Sequence, residues 1–153
     1  MLHAKPPNAH GLAFALARSG RLTGTAMTEN EIGKILVDIA YKIWTKLGPG
    51  LLESVYDQVL SIELESRGLG FERERWLSLE WEGRQIERAY RADRVIEGKV
   101  LVELKAQEKT LRVHQRQITT YLSITKLKLG YLINFGAGTW QEVVTRVVNG
   151  LAE

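Results

Sequence analysis

The chain has 153 residues, of which 44% are apolar and 25% are charged, as expected for one globular domain with a single hydrophobic core. It contains no cysteine, which excludes disulfides, thiolate zinc sites, iron–sulfur clusters and a cysteine nucleophile. No segment has the roughly 18 consecutive apolar residues that a membrane helix needs, so we expect a cytoplasmic protein without a membrane span. The formal net charge of +3 is by itself weak evidence for a nucleic-acid partner.

All of this net charge lies in the first 26 residues, which carry three bases and no acid. Residues 27–153 hold 18 basic and 18 acidic residues and are formally neutral. Residues 1–26 are rich in small side chains and poor in large apolar ones, so we expect a disordered extension, or an untranslated segment upstream of a start at Met27. A targeting segment is the open alternative. One domain is expected over residues 27–153.

The first half of this domain has the hydrophobic pattern of two helices followed by three strands. Thr28 and Glu31 have the spacing of a capping box, and Gly48-Pro49-Gly50 ends the helix that follows. Acid-glycine turns separate the strands, at Glu82-Gly83 and at Glu97-Gly98-Lys99. The predicted bounds are about 28–47 and 51–67 for the helices, and 71–81, 85–96 and 100–106 for the strands.

The second half predicts a third helix over about 113–127 and two strands over 129–135 and 142–148. The Gly136-Ala137-Gly138 loop separates these last strands. The resulting order, α-α-β-β-β-α-β-β, predicts a single α/β domain with a central mixed sheet flanked by helices.

The strand over 100–106 carries the most informative charges, because Glu103 and Lys105 are two residues apart and therefore share a face. In isolation such a pair is most often a solvent-exposed ion pair. A three-residue loop at 97–99 would place Asp93 opposite Glu103. Directly opposed carboxylates repel each other, so this register predicts a cation between them, and oxygen ligands favour Mg²⁺ or Mn²⁺. A register slip of one residue, which would move Asp93 off this face, stays open.

Further candidates rest on weaker signals. Glu53 lies in the first turn of the second helix, where the helix dipole alone would favour an acid. His114, Gln117 and Tyr121 share one face of the third helix. The segment around them is basic, and it is either a solvated helix face or a groove for phosphates. Its basic residues are Lys105, Lys109, Arg112, Arg116, Lys126 and Lys128.

The four tryptophans are expected to anchor the core or the strands rather than to stack on nucleobases. Stacking on single strands usually needs several exposed aromatic side chains on one surface. Only Trp76 and Trp81 are close in sequence, and their odd separation places them on opposite faces of a strand.

Taken together, these residues resemble a known family. Residues 50–56 have the Gly-x-x-Glu-x-x-Tyr pattern that names the GxxExxY proteins, a family similar to the PD-(D/E)XK nuclease superfamily. Asp93 followed by Glu103-Leu104-Lys105 resembles the Asp…Glu-x-Lys pattern of that superfamily, with Ala92 at the position where a proline often stands. The resemblance covers about residues 28–148 and implies an αβββαβ restriction-endonuclease-like core.

This resemblance implies a nuclease that uses Mg²⁺ or Mn²⁺ to hydrolyse phosphodiester bonds, with DNA as the expected substrate. Asp93, Glu103 and the Leu104 carbonyl would hold the metal ion, and Glu53 would support it. Lys105 would orient the attacking water and offset the negative charge that develops in the transition state.

The third helix resembles the Gln-x-x-x-Tyr helix of RecB-like and lambda-exonuclease-like nucleases. By this resemblance Gln117 would position the scissile phosphate and Tyr121 would brace the site. The expected nucleic-acid contacts come from Lys109, Arg112, His114 and Arg116. The alternative is a catalytically inactive module on the same fold that binds nucleic acid or protein, because fold does not imply function. A homo-oligomer or a protein partner is left open.

Overall fold

Helix α1 begins at the capping box that the sequence predicts. In the computed structural model, which describes residues 26–152, the Thr28 backbone N–H donates to Glu31 Oε2 at 2.7 Å, and the Glu31 N–H donates to Thr28 Oγ1 at 3.3 Å. The helix spans Glu29–Leu47 and ends at Gly48, which has a φ of +64°. The predicted N-terminal extension, apart from Ala26, lies outside the described residues.

The remaining elements follow the predicted order. They are α2 (Glu53–Ser66), β1 (Phe71–Trp81), β2 (Arg84–Ile96), β3 (Val100–Lys105), α3 (Arg112–Thr125), β4 (Leu129–Asn134) and β5 (Val144–Val148). The five strands form one sheet in the order β1-β2-β3-β4-β5, antiparallel except for the parallel pair β3 and β4, which α3 connects. The fold is therefore the predicted α/β domain with a mixed central sheet.

The last strand starts later than predicted. Residues Trp140–Glu142 form a 3₁₀ turn, closed by the Val143 N–H, which donates to the Trp140 carbonyl at 3.0 Å. Residue 142 is therefore part of the turn rather than of β5.

The sheet separates two apolar cores. Val100, Val102 and Leu104 of β3 pack with α1 and α2 on one face. Leu101 of the same strand packs with α3 on the other face. β3 and β4 are buried along almost their whole length, as is typical of central strands that are covered by helices on both sides. Among the described helices, none is both long enough and apolar enough to cross a membrane.

β1 and β2 form a hairpin that continues beyond the rest of the sheet. β2 has 13 residues, but its ladder with β3 covers only residues 94–96. We call the outer part of this hairpin, residues 75–92, the arm. Trp76 is 49% exposed and Trp81 is 65% exposed on this arm, so of the expected core or strand anchoring, the core part is wrong for these two residues. Trp44 and Trp140, by contrast, pack against the core.

A buried ion pair joins α2 to this hairpin. The Arg94 side chain is 0% exposed, and its Nη2 donates to the Asp57 carboxylate and, at 3.0 Å, to Ser61 Oγ. Arg73 of β1 pairs with the same carboxylate. Asp57 thereby fixes the first turns of α2 against both β1 and β2.

We expect Asp57→Asn to lower the free energy of unfolding by about 3 kcal/mol or more, because Arg94 would stay buried without its counter-charge. Arg75→Met removes only the exposed Arg75–Glu72 pair, separated by 3.4 Å, and should cost less than about 1 kcal/mol. Urea denaturation of both variants measures the difference. Similar losses would mean that the Arg94 pair is solvated.

Candidate active site

The candidate site forms where β2 separates from β3. The ladder between these strands runs from the Ile96–Val100 pair to the Arg94–Val102 pair, and one further step in this register places Asp93 opposite Glu103. This is the register that the three-residue loop predicts. The Asp93 backbone amide no longer has a ladder partner there, and a backbone amide that is shielded from water requires another acceptor.

The carboxylates of Asp93 and Glu103 replace the missing ladder acceptors. The Asp93 N–H donates to Glu103 Oε1 at 3.1 Å, and the Leu104 N–H donates to Asp93 Oδ2 at 2.9 Å. Each acid is therefore fixed by a backbone amide of the other strand. These two backbone hydrogen bonds orient both acids before any ligand binds.

Glu103 is a buried carboxyl group, 7% exposed. Burial and the neighbouring charge of Asp93 raise its pKa to about 8, because both disfavour the ionised form. The Tyr90 hydroxyl, which donates to Glu103 Oε1, and the Asp93 amide act in the opposite direction. At neutral pH the carboxyl group therefore retains its proton unless a metal cation displaces it.

The Gly-x-x-Glu-x-x-Tyr segment fixes the start of α2 beside these acids. Gly50 has a φ of +112°, a value that residues other than glycine rarely adopt. The hydroxyl of buried Tyr56 donates to the Gly48 carbonyl at 2.5 Å and accepts from the Leu51 N–H at 3.2 Å. These bonds tie the first helical turn to the preceding loop, and they position Glu53 at the helix N-terminus.

Glu53 lies within electrostatic reach of the other candidates. Its pKa is raised by burial and by the charge of Asp93, and Lys105 acts in the opposite direction. A cleft of about 260 Å³ separates the start of α2 from the hairpin. Residues that line this cleft include Glu53, Asp57, Arg73, Arg91, Asp93 and Leu104.

The acids fit a divalent cation, although they do not form a complete ligand set. Within residues 26–152, no three His, Cys, Asp or Glu side chains meet closely enough to make a metal site. Two carboxyl groups of which one retains a proton can exchange that proton for a cation, and oxygen ligands suit Mg²⁺ and Mn²⁺. The roles of Glu53 and of the Leu104 carbonyl as further ligands stay predictions.

Tyr121 supports the site through a second tyrosine. Its ring stacks on the Tyr90 ring with an angle of 12° between the planes, and Tyr90 donates to Glu103. The sequence prediction missed Tyr90, because its approach to Glu103 depends on how β2 diverges from β3. Tyr121 therefore lies behind the residue that contacts Glu103.

The other candidates of the third helix lie at its surface. His114 Nδ1 accepts from the Leu111 N–H at 3.3 Å at the start of α3, and partial burial together with the charge of Lys105 lowers the pKa of His114. Gln117 is exposed. The basic candidates Lys109, Arg112 and Arg116 are exposed as well.

Asn134 is a second supporting residue that the sequence prediction missed. It is buried at the end of β4, directly across from Lys105. Its Oδ1 accepts from the Gln107 N–H at 3.0 Å and from the Gly136 N–H at 3.1 Å. Asn134 thereby holds the chain that follows Lys105, and the available signal was a polar residue that ends an otherwise apolar strand.

The fold, with acids at the diverging edge of its mixed sheet, defines a restriction-endonuclease-like α/β protein. A family model described as the PD-(D/E)XK nuclease superfamily matches residues 30–147, and the chain belongs to this superfamily. The narrower resemblance to GxxExxY proteins stays a prediction.

Two other comparisons add no functional information. The solved structure titled "Crystal structure of SSO0001" is 14% identical, with a TM-score of 0.49, and the match covers 94% of this chain and 79% of that one. A search of curated proteins finds no match.

The raised pKa of Glu103 predicts how stability depends on pH. Its value of about 8 exceeds the value of roughly 4.3 in an unfolded chain, so the folded protein binds more protons between these limits. The contribution of Glu103 to stability is therefore present at low pH and is lost as the pH rises towards about 8. Glu103→Gln, which stays neutral, should gain stability relative to the wild type over this range.

Chemical denaturation in EDTA at several pH values measures this difference. Glu80→Gln, on the exposed arm, controls for the change in net charge. A difference between Glu103→Gln and the wild type that does not vary with pH would contradict the raised pKa.

Proposed function

We propose that this protein is a divalent-metal-dependent nuclease that hydrolyses phosphodiester bonds in DNA. The observation that carries the proposal is that Asp93 and Glu103 each accept a hydrogen bond from the backbone of the opposite strand. Lys105 follows Glu103 by two residues on the same strand. Membership of the PD-(D/E)XK nuclease superfamily supports nuclease activity. The choice of metal and of DNA, and a cytoplasmic location, are part of the proposal.

Asp93, Glu103 and the Leu104 carbonyl are proposed to hold Mg²⁺ or Mn²⁺, with Glu53 as an additional support. A divalent cation bound there would stabilise negative charge on the phosphate and lower the pKa of an attacking water. The buried position of Glu103 favours cation binding, because a positive charge stabilises the ionised form of a desolvated carboxyl group.

Lys105 is proposed to act on the substrate directly. It lies on the same face of β3 as Glu103, at the end of the strand, and it is only half-buried. A preorganised ammonium group beside the phosphate stabilises the charge that develops on the phosphate oxygens. The bonds of Asn134 to the segment after β3 limit the movement of this strand end.

The α3 side of the site is proposed to bind the sugar-phosphate backbone. Gln117 would position the scissile phosphate, while Tyr121 keeps Tyr90 against Glu103. The exposed cationic residues near the start of α3 would contact neighbouring phosphates, which makes binding sensitive to salt. These residues are Lys109, Arg112 and Arg116, and the half-buried His114 is proposed as a further contact.

We expect the purified chain to degrade DNA in Mg²⁺ or Mn²⁺, and Asp93→Ala and Glu103→Ala to be inactive. Lys105→Ala should lose roughly 100-fold in rate or more, because one preorganised electrostatic contact is removed. Glu80→Ala, on the arm, should keep wild-type activity. Gel assays with single-stranded, duplex and branched substrates measure the rates, and circular dichroism checks that each variant folds.

Two results would contradict the nuclease proposal. Equal degradation by the wild type and by Asp93→Ala would trace the activity to a contaminant. Salt-sensitive DNA binding without cleavage in either metal would instead identify a non-catalytic binding module on this fold.

Metal binding should depend on pH, because a cation has to displace the proton of Glu103. We expect the affinity for Mn²⁺ to rise with pH and to level off above about pH 8, since a ligand must be deprotonated to bind. Calorimetry in two buffers with different ionisation enthalpies measures both the affinity and the protons released. Asp93→Asn is the comparison variant, and binding by wild type without proton release near neutral pH would contradict this prediction.

A further inference from the structure

The arm carries an exposed tryptophan beside the cleft. Trp76 lies directly across from Arg91 in the β1–β2 ladder. Arg91 lines the cleft together with Asp93, two residues further along the same strand. The indole and the candidate metal-binding acid therefore lie along one edge of the molecule.

Strand alternation directs Trp76 towards the α2 side of the sheet. Leu77, the next residue, is buried in the cluster that includes residues of α3, and neighbouring side chains in a strand point to opposite faces. Trp76 nevertheless remains 49% exposed. A single exposed aromatic side chain needs no functional explanation by itself, and Trp81 is exposed as well. What distinguishes Trp76 is its position directly across from Arg91, which lines the cleft.

Two arginines adjoin this indole. The guanidinium carbons of Arg88 and Arg91 each lie 5.6 Å from the Trp76 ring centroid. Arg91 forms an ion pair with Glu74, in which Arg91 Nη1 lies 3.8 Å from Glu74 Oε1. This distance is too long for a hydrogen bond. Because this ion pair is exposed and weak, a phosphate can compete for the Arg91 guanidinium and make the stronger bidentate contact.

An aromatic surface bordered by cations matches the chemistry of a nucleotide whose base is unpaired. The indole offers a stacking surface to the base, and the guanidinium groups attract the adjoining phosphates. In an intact duplex the faces of each base are covered by its neighbours, so stacking on Trp76 would first require the base to leave the helix.

We propose that Trp76, with Arg88 and Arg91, stacks on an unpaired nucleobase next to the scissile phosphate, so that the substrate strand is single-stranded at the site. This inference rests on the proposed nuclease function and defines its substrate class. Stacking depends on the π face that every base has, so the contact selects unpaired bases and not a particular sequence.

Equilibrium binding tests the proposal without requiring cleavage. The probes are a fluorescein-labelled mixed-sequence DNA strand of about 20 nucleotides and its blunt-ended duplex, and fluorescence anisotropy is measured in EDTA. The wild type should prefer the single strand. Trp76→Ala should weaken single-strand binding roughly tenfold, with little effect on the duplex, while Trp76→Phe should retain most of the affinity.

Trp81→Ala is the matched control. Trp81 is on the same strand and is more exposed than Trp76, at 65%, but it lies at the tip of the arm next to the Glu82-Gly83 turn. We expect Trp81→Ala to change single-strand binding less than about twofold, because losing one exposed indole far from the cleft removes no proposed stacking contact.

Each remaining outcome is decisive. Equal losses in Trp76→Ala and Trp81→Ala, or an unchanged single-strand preference in Trp76→Ala, would overturn the stacking role. In that case metal-dependent cleavage by the wild type would leave the nuclease proposal intact. Failure of the wild type to bind the single strand would likewise overturn the stacking role, whereas the nuclease proposal would be overturned only by the absence of cleavage in Mg²⁺ and Mn²⁺.

Discussion

Where β2 leaves β3, two backbone amides need acceptors, and this requirement fixes the candidate site. Asp93 accepts from the strand that carries Glu103, and Glu103 accepts from the strand that carries Asp93. β3 cannot shift to relieve the crowding, because β4 pairs with its other edge and helices cover both faces. The two acids are therefore held together by the main chain, and their mutual repulsion is a consequence of the fold.

The fold supports this unfavourable pair from both faces of the sheet. On one face, Arg94 and Arg73 hold Asp57 and with it the start of α2. On the other, the stacked ring of Tyr121 holds Tyr90 against Glu103. A buried carboxylate lowers stability unless it is neutralised, so ionised Glu103 would be stabilised by a bound cation.

Much of the candidate site could be predicted from sequence because its signals are local. The three-residue loop at 97–99 sets the register that pairs Asp93 with Glu103, and Lys105 follows from strand alternation. Tyr90 could not be predicted in the same way, since its contact with Glu103 requires β2 to diverge. The exposure of Trp76 also depends on tertiary structure, because alternation along β1 cannot reveal that α3 covers the face of the arm that carries Leu77 while the face that carries Trp76 stays half exposed.

The charge distribution is compatible with the proposed binding of a polyanion by a formally neutral domain. The net charge of +3 belongs to residues 1–26, while residues 27–153 balance to zero. Within the domain, cationic side chains flank the acids, with Arg91 on the hairpin side and Lys105 at the end of β3. A divalent cation between the acids would cancel their charge, so the flanking cations would attract a phosphate more strongly. Metal binding and phosphate binding would then be coupled, since each lowers the electrostatic cost of the other.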